Sequence, residues 1–91
     1  MSNKLKMDKK VTLIDVRTPL EFNSGSVKGA VNIPMNEVVQ RLDEIKGMEP
    51  MVVFCQSGAR SQQVVDFLKG NGVEDVENGG GWMQVNASIN N

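Results

Sequence analysis

Met51-Val52-Val53-Phe54-Cys55-Gln56-Ser57-Gly58-Ala59-Arg60-Ser61 is the stretch whose reading decides the fold. Its first four residues are the most continuous apolar run in the chain, which predicts a strand covered on both faces at the centre of a sheet. The polar residues after Cys55 break that run at once. A helical pattern then follows, with Val64, Val65, Phe67 and Leu68 on one face and Gly70 and Gly72 as its stop. A strand feeding directly into a helix is half of a parallel crossover, so the rest of the chain should supply further strands and helices in alternation.

The flanking sequence does so. Val11, Leu13, Ile14 and Val16 form a short apolar run suited to a strand. Thr18-Pro19-Leu20-Glu21 reads as a helix start, with Thr18 as N-cap, Pro19 in the first turn and Glu21 reaching back as a capping box. Ala30-Val31-Asn32-Ile33 is a second strand, stopped by Pro34. Asn36 is expected to cap a helix carrying Val38, Val39, Leu42 and Ile45 at helical spacing and ending near Gly47 and Pro50. Val73 to Val76 is expected as a last strand, and Gly79-Gly80-Gly81 as a turn that permits close backbone approach. The predicted class is α/β, a small, mostly parallel central sheet flanked by helices on both faces. One domain should span residues 11–85, between a polar, lysine-rich lead-in (1–10) and a polar, asparagine-rich tail (86–91).

Composition narrows the chemistry. The chain has 91 residues, 40% hydrophobic and 23% charged, enough for one globular core. Ten basic against eleven acidic side chains leave a formal charge of -1, which argues against a nucleic-acid or anionic-membrane partner. No apolar run is long enough to span a membrane, and the start lacks the apolar stretch of a signal peptide. A cytoplasmic location is expected, or a periplasmic one if an export signal has been removed. One cysteine and no histidine exclude an internal disulfide, a Cys/His zinc site and histidine-based nucleophilic catalysis within the chain. The six methionines are scattered and read as core fillers. No metal or cofactor is predicted.

What remains is a thiol at the carboxyl end of a central strand, where α/β sheets carry their ligands. A tight loop entering a helix turns successive backbone N–H groups inward, and the helix N-terminus adds positive potential. Gly58 supplies the backbone freedom, and Arg60 a fixed charge. Such surroundings stabilise a thiolate. Lowering a thiol from about 8.5 to near 6.5 needs about 2.7 kcal/mol, within reach of several amides and one arginine. An inert core cysteine is the alternative. It would sit inside the strand, whereas Cys55 ends it and is followed by polar residues, so an accessible, reactive thiol is the expectation.

Several features together resemble the rhodanese homology domain over nearly the whole chain: Leu13-Ile14-Asp15-Val16-Arg17, Glu21-Phe22, Gly25 with Gly29-Ala30-Val31-Asn32-Ile33-Pro34, the Cys55 loop, and Gly79-Gly80. Val76-Glu77-Asn78 before the glycines is similar to small single-domain thiosulfate sulfurtransferases of the bacterial phage-shock type. The resemblance implies that Cys55 accepts a sulfane sulfur as a persulfide and passes it to cyanide or a thiol, including a thiol on a protein acceptor. It implies further that Gln56, Ser57, Gly58, Ala59, Arg60 and Ser61 form the persulfide cradle and substrate-binding loop, with Arg60 helping to hold a small anionic donor such as thiosulfate. This chain has Gly25-Ser26-Val27-Lys28-Gly29 where many relatives carry a histidine. Trp82 follows the glycines sooner than the family's common tryptophan.

Asp15, Arg17 and Glu21 read as structural support: the first two as loop-binding partners at a strand end, Glu21 as a cap and a candidate partner for Arg17. Trp82 reads equally as a shield over the site or a cover for the core. Two competing function classes share the cysteine loop. Cysteine phosphatases and arsenate reductases also use a cysteine, an arginine and inward N–H groups, but they typically place five residues between the two, and only Gln56, Ser57, Gly58 and Ala59 intervene here. The smaller ring suits one sulfur atom. A noncatalytic sulfur-relay or protein-binding module is the other alternative.

Overall fold

The computed structural model describes residues 11–89. The expected lead-in and the last two residues of the expected tail lie outside the described residues. Four strands, β1 (Thr12–Asp15), β2 (Val31–Asn32), β3 (Met51–Cys55) and β4 (Val76–Gly81), form one sheet in the order β2-β1-β3-β4. Every pairing is parallel, and β3 lies inside the sheet, as its unbroken apolar run predicts. Four α-helices accompany them: α1 (Pro19–Asn23), α2 (Leu42–Lys46), α3 (Ala59–Gly70) and α4 (Trp82–Ile89).

Strand alternation sorts the core into two layers. Met51, Val53 and Cys55 of β3 face one way, packing with Ile14, Ile45, Val64, Val65 and Leu68 under α2 and α3. Val52 and Phe54 face the other way, with Leu13, Val27 and Val85, partly covered by Trp82 and Ile89 of α4. Helices therefore lie on both faces, and the side chain of Cys55 belongs to the α3 face.

Helix α1 forms as its sequence dictates. The Thr18 side chain accepts the Glu21 backbone N–H, and the Glu21 carboxylate accepts the Thr18 N–H, a complete capping box with Pro19 in the first turn. The next helix differs from expectation. Asn36 does not cap it: Met35–Glu37 is a 3-10 turn that follows Pro34, and α2 begins only at Leu42. Val38 and Ile45 are buried, but Val39 is 68% exposed, because residues 38–41 form a turn between the 3-10 turn and α2 and not one continuous helix.

The glycine run differs too. Gly79–Gly81 are part of β4 and not a turn, and the strand starts at Val76, the residue expected to end it. Pairing with β3 makes them strand, with a bulge: Val53 is opposite Asn78, but the next residue, Phe54, is opposite Gly80. The expected polar tail is corrected in the same region, since Asn86 to Ile89 continue α4 and Ile89 packs against the core. Its apolar positions Trp82, Val85 and Ile89 recur at helical spacing, which outweighs the polar residues between them.

Candidate active site

Cys55 is the last residue of β3, and the chain turns back over its sulfur within three residues. Gly58, the N-cap of α3, adopts φ +104°, a left-handed conformation that glycine accepts without strain. That turn aims the Gly58 N–H at Cys55 Sγ over 3.0 Å, while the first turn of α3 brings the Ser61 N–H to 3.4 Å and the Ser61 hydroxyl oxygen to 3.5 Å. These donors close a cup around the sulfur. The expectation of an accessible thiol is corrected here: Cys55 is 1% exposed, because the same loop that cradles the sulfur also covers it.

Burial alone pushes the thiol up, since the charged form loses water. Donors around the sulfur more than offset this: the Ser61 hydroxyl and the amides of Ser61, Gly58 and Ser57 bring it down to about 7. At neutral pH a large fraction is thiolate. The chain has no histidine to contribute to that shift, and among the described residues no cluster of three or more acidic, histidine or cysteine side chains could hold a metal ion.

The other anticipated loop residues divide. The Arg60 guanidinium pairs with both carboxylate oxygens of Glu21, at 2.8 and 3.1 Å. The Arg60 hydrogen bonds, with help from the Thr18 backbone, hold the Glu21 carboxyl down at about 2. Glu21 thus takes Arg60 as its partner, not Arg17. Gln56 points its side chain toward Arg17 Nη1, 3.4 Å away, and Ala59 opens α3.

Asp15 and Arg17 are both buried and paired to each other. Arg17 Nε and Nη2 donate to the Asp15 carboxylate at 2.8 to 3.1 Å, and its backbone N–H donates to the same group. Ser26 adds a hydroxyl donor at 2.7 Å. Arg17 Nη2 also reaches the Gly25 carbonyl, and its guanidinium carbon lies 5.2 Å from the Trp82 ring centre. The pair therefore ties β1, the loop before β2 and the start of α4 together beside the cysteine loop. A cavity of about 370 Å³ opens there, lined by Arg17, Glu21, Gln56 and Trp82, with Leu20 and Met83 at its exposed edge.

One residue of the site enters the sequence reading only as part of Val76-Glu77-Asn78, with no role of its own. Asn78 of β4 accepts from the Ser61 hydroxyl at 2.7 Å and donates to the Gly58 carbonyl at 3.1 Å, touching both residues that hold the sulfur. Only its place just before the glycines, on the same strand face as buried Val76, could have marked it.

The chain belongs to the rhodanese-like domain family, whose model matches residues 2–88. It is 40% identical over 70 residues to the uncharacterized protein YqhL of Bacillus subtilis, covering 77% of this chain and 56% of that one. It thus spans little more than half of YqhL. The thiosulfate sulfurtransferase PspE of Escherichia coli is 37% identical over 74 residues, covering 79% of this chain and 71% of PspE. Among solved structures, a rhodanese-like domain protein of Staphylococcus aureus superposes with a TM-score of 0.78 at 35% identity, over 91% of this chain and 80% of that one. Among the described residues no helix is long and apolar enough to cross a membrane.

Proposed function

We propose that the protein is a sulfurtransferase that takes a sulfane sulfur from thiosulfate, or a similar small anionic donor, onto Cys55 as a persulfide. The acceptor is cyanide or a thiol, including one on a protein. The observation that carries this reading is the cup around Cys55 Sγ, with the Gly58 and Ser61 N–H groups at 3.0 and 3.4 Å. In the first step the thiolate attacks the outer sulfur of thiosulfate. The sulfur–sulfur bond of the donor breaks, and sulfite leaves with its electron pair. Charge is conserved: the thiolate becomes a persulfide anion, and sulfite departs as a dianion. In the second step the acceptor attacks the outer sulfur and Cys55 leaves as thiolate, giving thiocyanate from cyanide or a new persulfide from a thiol. With one cysteine in the chain, no internal thiol competes for the sulfur. A reducing compartment such as the cytoplasm keeps thiol acceptors available.

A second reading, a sulfur-relay module that docks to a partner and turns over poorly alone, is favoured by one observation. Arg60, expected to hold the anionic donor, is held by Glu21. The phosphatase reading is weaker, because four residues and not five separate Cys55 from Arg60, and Glu21 already holds that arginine.

Intact mass after incubation with thiosulfate tests the proposal. One added sulfur on the wild type, absent from Cys55→Ser and discharged by cyanide as thiocyanate, is the expected result. Uptake without turnover on any small acceptor selects the relay module. No uptake, with phosphate released from an aryl phosphate, overturns both.

A further inference from the structure

Ser61 has one hydroxyl proton, and three acceptors surround it. Asn78 Oδ1 lies at 2.7 Å, the Gly58 carbonyl oxygen at 3.1 Å and Cys55 Sγ at 3.5 Å. One proton cannot serve all three. The orientation of Asn78 decides where it goes. The backbone N–H of Gly80, which can only donate, meets Asn78 Oδ1 at 2.9 Å, while Asn78 Nδ2 donates to the Gly58 carbonyl at 3.1 Å and to Gln62 Oε1 at 3.0 Å. Turning the amide over would set its N–H groups against the Gly80 N–H. Oδ1 therefore faces Ser61 as a pure acceptor, and the 2.7 Å contact is Ser61 O–H donating to Asn78.

We propose that Asn78 is a positioning residue for the Cys55 thiolate, holding the Ser61 hydroxyl proton and keeping that hydroxyl from donating fully to the sulfur. The inference rests on Cys55 being the nucleophile of the proposed reaction. Each hydrogen bond a thiolate accepts makes it easier to form but poorer at attack, because nucleophilicity falls as basicity falls. Asn78 limits what the Ser61 hydroxyl gives the sulfur, beside the backbone amides that also donate to it, and so sets the balance between the two. When Asn78 gives up the Ser61 proton, its oxygen keeps the Gly80 N–H and is not orphaned, so the hydroxyl can turn to the sulfur at small cost.

The charged groups around the sulfur do not vary with this switch. Asp15 and Arg17 after β1 are paired to each other, and Glu21 of α1 is paired with Arg60 of α3. From β4 come Asn78 and the glycines, while Glu77 is exposed and lies on the opposite strand face.

The test is the rate of alkylation of Cys55 by iodoacetamide across pH, on the full chain, with melting curves to confirm folding. In N78A the released hydroxyl has two acceptors left, the Gly58 carbonyl and Cys55 Sγ, and the full charge of the thiolate draws it to the sulfur. The midpoint falls by about half to one pH unit, and the plateau rate at high pH falls about two- to threefold. In N78D the carboxylate keeps the proton and adds negative charge, so the midpoint rises. A merely structural asparagine would move both variants upward or neither. S61A placed on N78A abolishes the downward shift. An N78A midpoint that is unchanged or raised, or a fall that survives S61A, overturns the proposal. If N78A does not fold, S61A on the wild type decides: a midpoint rise below about half a pH unit supports the proposal, and a larger one overturns it. Alkylation uses no sulfur donor, so failure of sulfur transfer would sink the proposed function without touching this result.

Discussion

Arg60 and Glu21, 39 residues apart in sequence, meet as a two-pronged ion pair, Nη1 to Oε1 at 2.8 Å and Nη2 to Oε2 at 3.1 Å. The same carboxylate closes the capping box of α1, so one side chain caps the start of one helix and restrains the first turn of another. The arginine of the cysteine loop therefore presents a neutralised charge to the mouth of the site.

Glu21→Gln should release Arg60 toward incoming anions. KM for thiosulfate is expected to fall by about threefold, in line with the loss of a partly exposed ion pair worth up to ~1 kcal/mol, with kcat little changed. An unchanged or raised KM in steady-state assays would show that Arg60 takes no part in donor binding.

The same pair predicts an acid limb in stability. The Glu21 carboxyl is lowered from 4.5 to about 2 in the folded chain, chiefly by the Arg60 hydrogen bonds. A depressed acid stabilises the fold fully above its unfolded value and loses that contribution as pH drops through its folded value. Urea midpoints should therefore decline between about pH 4.5 and pH 2 more steeply in the wild type than in Arg60→Ala, where Glu21 has no cation to lose.

For Cys55 the sign follows from a thiol brought down to about 7. Alkylation and sulfur loading should both rise with pH through about 7 and level off above it, with no second ionisation from a histidine base. A midpoint near the ordinary thiol value of about 8.5 would mean that the amide cup does not act on the sulfur.

Asp15→Ala should be among the most damaging single changes. It leaves the buried Arg17 guanidinium without its carboxylate and removes the acceptor of Ser26. Breaking a buried pair from one side costs about 3–5 kcal/mol, measurable as a large drop in the urea midpoint. A loss under about 1 kcal/mol would show that water reaches Arg17 easily.

Gly79→Ala tests the close packing of β4. A Cβ there would lie 2.7 Å from both Val52 Cγ1 and Val85 Cγ2, with core on either side. Overpacking of this kind costs about 1–3 kcal/mol. Gly29→Ala is the contrasting control. It meets nothing within 4 Å and strains only the backbone, at φ +86°, so the two free energies of unfolding separate steric from conformational cost.

Features written in contiguous residues are legible in the sequence itself. The capping box at Thr18 and Glu21, the central strand and the cysteine loop each depend on neighbours within a few positions. What depends on partners far along the chain is not. Gly79 to Gly81 carry no β-forming side chains, and they are strand because β3 pairs with them. Asn36 reads as a cap because its polar side chain precedes apolar residues, yet Pro34 and the 3-10 turn fix the local geometry otherwise. The sequence offers Arg17 as a partner for Glu21, and only the folded chain brings Glu21 to Arg60 of α3 instead. Asn78 carries no chemistry of its own. Its place at the sulfur emerges only when β4 lies beside β3.

The bulge at Gly79 also bears on how the chain can change length. Phe54 follows Val53 directly, whereas their partners Gly80 and Asn78 are two apart, so Gly79 is the uncounted residue of the ladder. Deleting it would leave the other pairs as they are, Asn78 with Val53, Gly80 with Phe54 and Gly81 with Cys55, and make the alternation regular. The residues after it would keep their faces, and α4 would stay over the layer it covers. One residue more or less is thus absorbed inside a buried parallel ladder, a place where a change of length elsewhere in β3 or β4 would slip the register and turn side chains to the wrong face.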